Sequence, residues 1–301
     1  MSTDLPFSLA DRFSDPLLLP FILMAFAVGL CIGSFLNVCI ARWPLELSVV
    51  KPRSRCPRCG RQIRWYENVP IVSWLALRAR CPGCGLPISA VYPAVELLVG
   101  IGWALAVAAF GPTLIALNVA VFSTVLLGIA VTDYQHYLIP DGFTVFGLIW
   151  VLALSVLTFL VGEQGPFAAN PWQALLGACV GAGAIAIAGW LGEVALKKEA
   201  MGFGDVTLMA MVGAALGPER TLLTVFVGAA LALVGVLLVF APLSKLRSGN
   251  DGPQLMLPFG ARGWELPLVP FGVFLAPAAL LTLLWGSELV GWYKQLVGIA
   301  P

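Results

Sequence analysis

Residues 201–216, Met201-Gly202-Phe203-Gly204-Asp205-Val206-Thr207-Leu208-Met209-Ala210-Met211-Val212-Gly213-Ala214-Ala215-Leu216, set one carboxylate at the mouth of an otherwise apolar segment. A second acid, in Thr132-Asp133-Tyr134, closes an earlier apolar segment. An ionisable group at membrane depth is costly, so each is a functional hypothesis by default. The surroundings are as apolar as these stretches suggest: of 301 residues, 59% are hydrophobic and 11% charged, and mean hydropathy is +0.93. That composition excludes a soluble domain of this length.

Apolar stretches long enough to cross a bilayer, about 20 residues each, cover 17–41, 90–110, 112–132, 143–162, 172–196, 220–243 and 269–286. The stretch 206–216 is short for a crossing at about 1.5 Å per residue. It counts as an eighth span if it begins back in the glycine segment and the protein thins the bilayer around it. The expected fold is an all-α polytopic membrane protein of about eight transmembrane helices, with a first helix over 1–41, a small cytoplasmic zinc-ribbon-like insert over 42–89 and a helical bundle over 90–301. With the first loop in the cytoplasm, every Lys and Arg except Arg12, Arg220 and Lys294 falls on the inner side. This positive-inside bias supports eight crossings, because Lys245, Arg247 and Arg262 change sides if the short span is dropped. Asp133 and Asp205 then share the cytoplasmic face. Residues 1–16 carry three acids and one Arg, unlike the basic start of a cleavable signal, so the first span reads as a retained helix.

The insert carries nine of the 17 basic residues beside only Glu46 and Glu67. A surface next to anionic membrane lipid is its expected setting; a nucleic-acid partner is the weaker reading of that charge, and none is expected. Gly177, Gly181 and Gly183 are read as small residues for close helix packing. Gly181-Ala182-Gly183 follows no strand, so it is not a dinucleotide fingerprint.

Cys56-Pro57-Arg58-Cys59-Gly60 and Cys81-Pro82-Gly83-Cys84-Gly85 are two copies of one knuckle. Four thiolates from two such turns suit a tetrahedral structural zinc, and the glycine after each second cysteine permits the turn. A pair of disulfides is the competing reading, which a reducing cytoplasm disfavours. Cys31, Cys39 and Cys179, in apolar spans, read as small buried residues.

Asp133 and Asp205 lie near one membrane face, so helix packing can bring them together. Two facing carboxylates share one proton, leaving a base and an acid, the equipment of an aspartyl protease that needs neither a metal nor a covalent intermediate. The flanking Gly202 and Gly204 let an extended substrate backbone approach, since no Cβ blocks it. An isolated Asp at a helix start is otherwise an N-cap; Asp141, just ahead of the span from 143, fits that role better than Asp205. His136, the only histidine, reads as an interfacial residue near Asp133. Two non-protease readings remain at this point: a non-catalytic zinc-containing scaffold, and a proton-coupled transporter using the acids as a relay. The transporter expects its acids near the bilayer midplane, not at one face.

The sequence resembles the type IV prepilin peptidases, which also serve type II secretion pseudopilins. The resemblance covers Gly33-Ser34-Phe35-Leu36-Asn37-Val38 with Arg42 and Pro44, the four-cysteine insert, Glu67-Asn68-Val69-Pro70-Ile71-Val72-Ser73-Trp74, Tyr92-Pro93 with Glu96, the stretch 133–141, and Lys198-Glu199-Ala200-Met201-Gly202-Phe203-Gly204-Asp205. It implies catalytic aspartates at Asp133 and Asp205 and the family's Gly-x-Gly-Asp glycines at Gly202 and Gly204. It also implies a bacterial inner-membrane enzyme that cuts a basic leader from prepilins after a glycine. The same enzyme would then methylate the new amino terminus with S-adenosylmethionine, an activity of the amino-terminal half in members that carry the cysteine insert. Glu67 and Asn68, polar residues in an apolar stretch of the insert, are offered for that second site, with a purely structural role as the alternative. The presenilin group shares the Gly-x-Gly-Asp turn, but its first aspartate follows a tyrosine and it lacks this insert. One departure is that the family's Pro-Phe-Gly-Pro element reads Pro270-Phe271-Gly272-Val273 here, a change expected to leave both aspartates untouched. A second Pro-Phe-Gly stands at 258–260.

Overall fold

A computed structural model of the protein describes residues 16–197, 201–235 and 270–298. The amino-terminal stretch 1–15, Lys198, Lys245, Arg247, Arg262 and the second Pro-Phe-Gly lie outside the described residues. The elements are α1 (Leu19–Arg42), α2 (Val72–Ala76), α3 (Val91–Phe110), α4 (Leu114–His136), α5 (Asp141–Val161), α6 (Pro171–Leu196), α7 (Phe203–Leu216), α8 (Pro218–Gly235) and α9 (Gly272–Val297). Among the described residues, β pairing is confined to two isolated bridges in the insert, Arg55 with Gln62 and Arg80 with Pro87.

Local chemistry sets the helix boundaries. Thr113 caps α4 by accepting the Ala116 N–H, and Asn170 caps α6 by accepting from Gln173, with Pro171 at the first helical position. Side-chain oxygens there satisfy donors that have no intrahelical partner. Gly162 ends α5 in the left-handed region at φ 78°, where a Cβ would be strained. The structure assigns the cap of α5 to Pro140 and puts Asp141 one position inside, without a side-chain cap bond. Asp141 therefore faces the helix dipole as a first-turn acid, which corrects its reading as an N-cap.

Seven of these helices are long and apolar enough to cross a membrane, and the chain is a polytopic helical membrane protein. The eighth, α7, has 14 residues and spans about 21 Å, short of a hydrocarbon core of about 30 Å. It nevertheless runs from the end of the bundle that holds Asp205 to the loop at the other end, where Ala168 donates to the Ala215 carbonyl. Its side chains from Met211 to Leu216 are at most 2% exposed, because α5, α6 and α8 pack around it. A helix surrounded by protein has no need to match lipid thickness.

The α6–α7 contact is backbone against backbone. A Cβ on Gly177 would run into the Gly213 carbonyl, and one on Gly181 into the Met209 carbonyl. Gly183 has nothing within 4 Å of such a Cβ, so the packing role expected for it belongs to the other two glycines alone. The cysteine expectation is corrected similarly: Cys39 is buried, whereas Cys31 and Cys179 lie on the outer surface of the bundle. A small apolar side chain is tolerated against lipid as readily as in the core.

The insert sits at the same end of the bundle as the carboxylates. Trp43, just past α1, meets Phe143 of α5 edge-on with ring centroids 4.4 Å apart. At the far end Lys294 pairs with Glu219 at 3.0 Å.

Candidate active site

Asp133 lies in the last turn of α4. Tyr137, left-handed at φ 54°, closes that helix by donating its N–H to the Asp133 carbonyl, and the chain turns back through Ile139 into α5. Asp133 is 5% exposed. Its Oδ2 accepts the Val273 N–H at 3.1 Å, in the first turn of α9. The carboxylate, unfavourably placed at the end of its own helix, is thus set against the positive end of another.

Asp205 is half-buried in the first turn of α7. Gly202 is the capping residue there and Asp205, three positions on, is a first-turn acid whose carboxylate faces back toward the Gly202 N–H, so the N-cap alternative for Asp205 falls away. Its carboxylate lies within electrostatic reach of Asp133. The two acids, 72 positions apart by their numbers, converge where the amino-terminal ends of α7 and α9 meet the end of α4. Two helix dipoles oriented this way favour one negative charge in the space between them, and mutual repulsion disfavours two.

Ile139 and two glycines complete this corner, and of the three only Gly204 was singled out as a site residue in the sequence. A Cβ on Gly272 would lie 2.8 Å from Asp133 Oδ2 and 3.1 Å from Ile139 Cδ1. A Cβ on Gly204 would lie 2.9 Å from Ile139 Cβ. Ile139, 7% exposed, therefore wedges between the starts of α7 and α9, and two glycines allow both helices to close on it. The Val273 bond overturns the expectation that the 270–273 departure leaves the aspartates untouched: an N–H at 273 is a donor that proline would lack. The available signal was a Gly directly after Pro-Phe at a helix start. The glycines of the Gly-x-Gly-Asp turn differ: Gly204 is enclosed by Ile139, whereas Gly202 is exposed, with only Asp205 Oδ2 near, at 3.9 Å. His136 is exposed in the last turn of α4, away from the buried carboxylate.

In the insert the two knuckles fold alike. Cys56 and Cys81 each start a turn closed by Gly60 (φ 69°) and Gly85 (φ 70°), whose N–H groups donate to the Cys56 and Cys81 carbonyls. The four ligand sulfurs lie within 4.8 Å of one another, and Cys56 and Cys84 Sγ are 3.9 Å apart. Tetrahedral zinc with bonds of about 2.3 Å separates its sulfurs by about 3.8 Å, so the four cysteines are positioned to hold a metal ion. Backbone N–H groups of Cys59 and Arg58 pull the Cys56 thiol down to about 6. At Cys84 the Leu86 amide, which lowers the thiol, is outweighed by loss of solvent and the neighbouring sulfurs, which push it up to about 11, so the cluster favours a thiolate at Cys56 and needs a cation to hold more.

Glu67 and Asn68 line a cavity between the insert and the bundle. Arg61 grips both Glu67 oxygens, at 2.8 and 3.1 Å, and the Arg64 N–H reaches one of them at 3.0 Å. The Arg61 guanidinium, then the Arg64 amide, hold this carboxyl below the usual range. Glu67 ties the first knuckle to the turn at Trp65–Asn68.

Residues 27–110 match the model of the bacterial peptidase A24 N-terminal domain, and residues 120–238 match that of the type IV leader peptidase family. A prepilin leader peptidase/N-methyltransferase of Stutzerimonas stutzeri is 34% identical over 94% of this chain and 96% of its own length. One from Pseudomonas aeruginosa is 32% identical over 93% and 96%. A third, from Myxococcus xanthus, is 42% identical over 78% of this chain and 66% of its own length. No solved structure matches the chain. With two family models side by side along the chain and full-length relatives above 30% identity, this protein belongs to the type IV leader peptidase family.

Proposed function

We propose that this protein is a bifunctional membrane enzyme that removes the leader from type IV prepilins or type II secretion pseudopilins after a glycine and N-methylates the residue it exposes. The observation that carries the peptidase half is the meeting of Asp133 and Asp205 between two helix amino termini. In this reading the pair holds one proton. The ionised carboxylate takes a proton from water as the water oxygen bonds to the scissile carbonyl carbon, and the protonated partner donates to the carbonyl oxygen. When the tetrahedral adduct collapses, the C–N bond breaks, a carboxyl proton passes to the leaving amine and one hydroxyl of the adduct returns its proton to the other carboxylate, so the pair again holds one proton. Gly202, open to the surface, gives an extended substrate room to lie beside Asp205. Gly204 acts from below by letting α7 close on Ile139.

The active site faces the cytoplasm of the inner membrane in this reading. The support is the basic insert, which lies at the same end of the bundle as the carboxylates and suits anionic lipid and the inner side. Residues 42–89 form the unit associated with methyl transfer, held by a structural zinc on Cys56, Cys59, Cys81 and Cys84; the sulfur spacing fits that ion. S-adenosylmethionine, when bound, supplies the methyl group that the new α-amine accepts. Glu67 and Asn68 serve that site as part of its wall.

The test is the mass of a prepilin's amino terminus after incubation with the full-length protein and S-adenosylmethionine. Loss of the leader with gain of one methyl is the expected result. Leader loss without a methyl refutes the second activity, and an uncut, competent prepilin refutes the first.

A further inference from the structure

The cavity beneath the insert has a volume of about 460 Å³, in the range of small-molecule sites. It lies where α1, the start of α3 and the insert meet, and among the polar side chains these two helices bring to it Asn37 and Glu96 are nearly buried, each 8% exposed. Their positions are rigid. A Cβ on Gly33, one turn before Asn37, would lie 2.7 Å from Glu96 Cα, so α1 and α3 touch backbone to backbone at this level. The Asn37 amide donates to the Tyr92 carbonyl at 3.0 Å.

One Glu96 oxygen accepts the Ile71 N–H at 2.8 Å. Ile71 is held at φ 61°, ψ −51°, a strained conformation for a β-branched residue. The insert thus spends strain to bring a donor onto one oxygen of Glu96, and the other keeps its acceptor capacity. Among the described residues no cation pairs with Glu96. A nearly buried carboxylate without a counter-ion is costly, and a bound cation would offset that cost. Glu67, lining the same cavity, is saturated by Arg61 and Arg64 and has no such need. Trp74, its indole N–H fixed on the Ile88 carbonyl, and Tyr92 add aromatic surface, suited to a heteroaromatic base and to a cation. Four guanidiniums reach the same lining: Arg61 is taken up by Glu67 and Arg42 by the Ser48 and Pro52 carbonyls, which leaves Arg55 and Arg58 to meet an anionic group.

We propose that this cavity binds the methyl donor, a sulfonium nucleoside carrying an amino-acid tail, with Glu96 countering the sulfonium charge and Asn37 holding the wall beside it. This assignment rests on the methyl-transfer reading above and names its site. The residues fit such a ligand: an uncompensated carboxylate for the cation, aromatic surface for the base and a guanidinium for the tail carboxylate.

Binding of S-adenosylmethionine and of S-adenosylhomocysteine, its neutral thioether counterpart, to the full-length protein in detergent tests the proposal by titration calorimetry. Glu96→Gln retains an acceptor for Ile71 and removes the charge. It is expected to weaken S-adenosylmethionine by about tenfold or more, as for loss of a charge-assisted contact, while S-adenosylhomocysteine changes far less. Ser34→Leu, which adds bulk at a cavity-lining position of α1 that takes part in neither hydrogen bond, should weaken both ligands. Unchanged S-adenosylmethionine binding in either variant, or equal loss of both ligands in Glu96→Gln, overturns the assignment. If the wild-type protein methylates its product but Glu96→Gln binds normally, only the cavity assignment fails. If the wild type binds neither ligand and leaves its product unmethylated, the methyl-transfer reading fails with it.

Discussion

Replacing Gly272 by alanine acts on the site's geometry through its contact with the Asp133 carboxylate. The added Cβ would lie 2.8 Å from Asp133 Oδ2 and 3.3 Å from its Cγ, against an ordinary contact of about 3.5 Å. The carboxylate must retreat by about 0.7 Å, which stretches the 3.1 Å bond from the Val273 N–H beyond hydrogen-bonding range. A hydrogen bond to a charged group is worth about 1.5–3 kcal/mol, and each 1.4 kcal/mol is about tenfold in rate. Gly272→Ala should therefore lower kcat/KM for leader cleavage by roughly 10- to 100-fold. Alanine is the better helix former by up to about 1 kcal/mol, less than the lost bond and the tight contact cost, so the thermal midpoint in detergent should fall modestly while the protein stays folded. Val273→Ala keeps the N–H and should cleave like wild type. A Gly272→Ala protein that cleaves at the wild-type rate would refute the placement of Asp133 against α9.

The two glycines of the Gly-x-Gly-Asp turn should respond differently. Gly204→Ala sets a Cβ 2.9 Å from Ile139 Cβ and should cost about 1–3 kcal/mol of stability, seen as a lower melting temperature, whereas Gly202→Ala should melt normally and raise KM for prepilin. At the α6–α7 contact, Gly177→Leu directs a side chain into the Gly213 carbonyl and should lower the melting temperature more than Gly183→Leu, which meets open space. Removing the metal from the cysteine knuckles should expose the insert, since structural zinc binding contributes about 10–16 kcal/mol in small domains. Trypsin should then cut at Arg55, Arg58 or Arg61 only after chelation, and an unchanged digest with no zinc released would contradict the four-cysteine site.

Most of the helical frame was legible because each span is a continuous apolar run with polar ends. The stretch read as 90–110 is Val91–Phe110, and the one from 143 begins two residues earlier, at Asp141. The knuckles were legible because ligand spacing and the glycine after each second cysteine are local features, and both glycines do adopt positive φ. What could not be read was which way each helix faces. In a membrane, lipid is as apolar as the core, so Cys31 and Cys39 look alike in sequence although only the second is buried. The same ambiguity hid the setting of α7, whose large apolar residues from Leu208 onward face neighbouring helices instead of lipid. The Asp133 bond to Val273 joins residues 140 positions apart and is fixed by how α4 meets α9, which no local pattern records. Asn37 and Glu96 did leave a trace, as polar side chains inside apolar runs, but only the packing of α1 on α3 places them in one cavity.

The central claim is that Asp133 and Asp205 act together on the scissile bond, and the most direct test is leader cleavage by Asp205→Asn in full-length protein that inserts and melts like wild type. Asparagine keeps the size and the hydrogen-bonding capacity but can neither take up nor deliver the shared proton. A fall in kcat of roughly 10²- to 10⁴-fold is expected, the usual worth of a positioned acid–base group. Cleavage within about tenfold of wild type would contradict it.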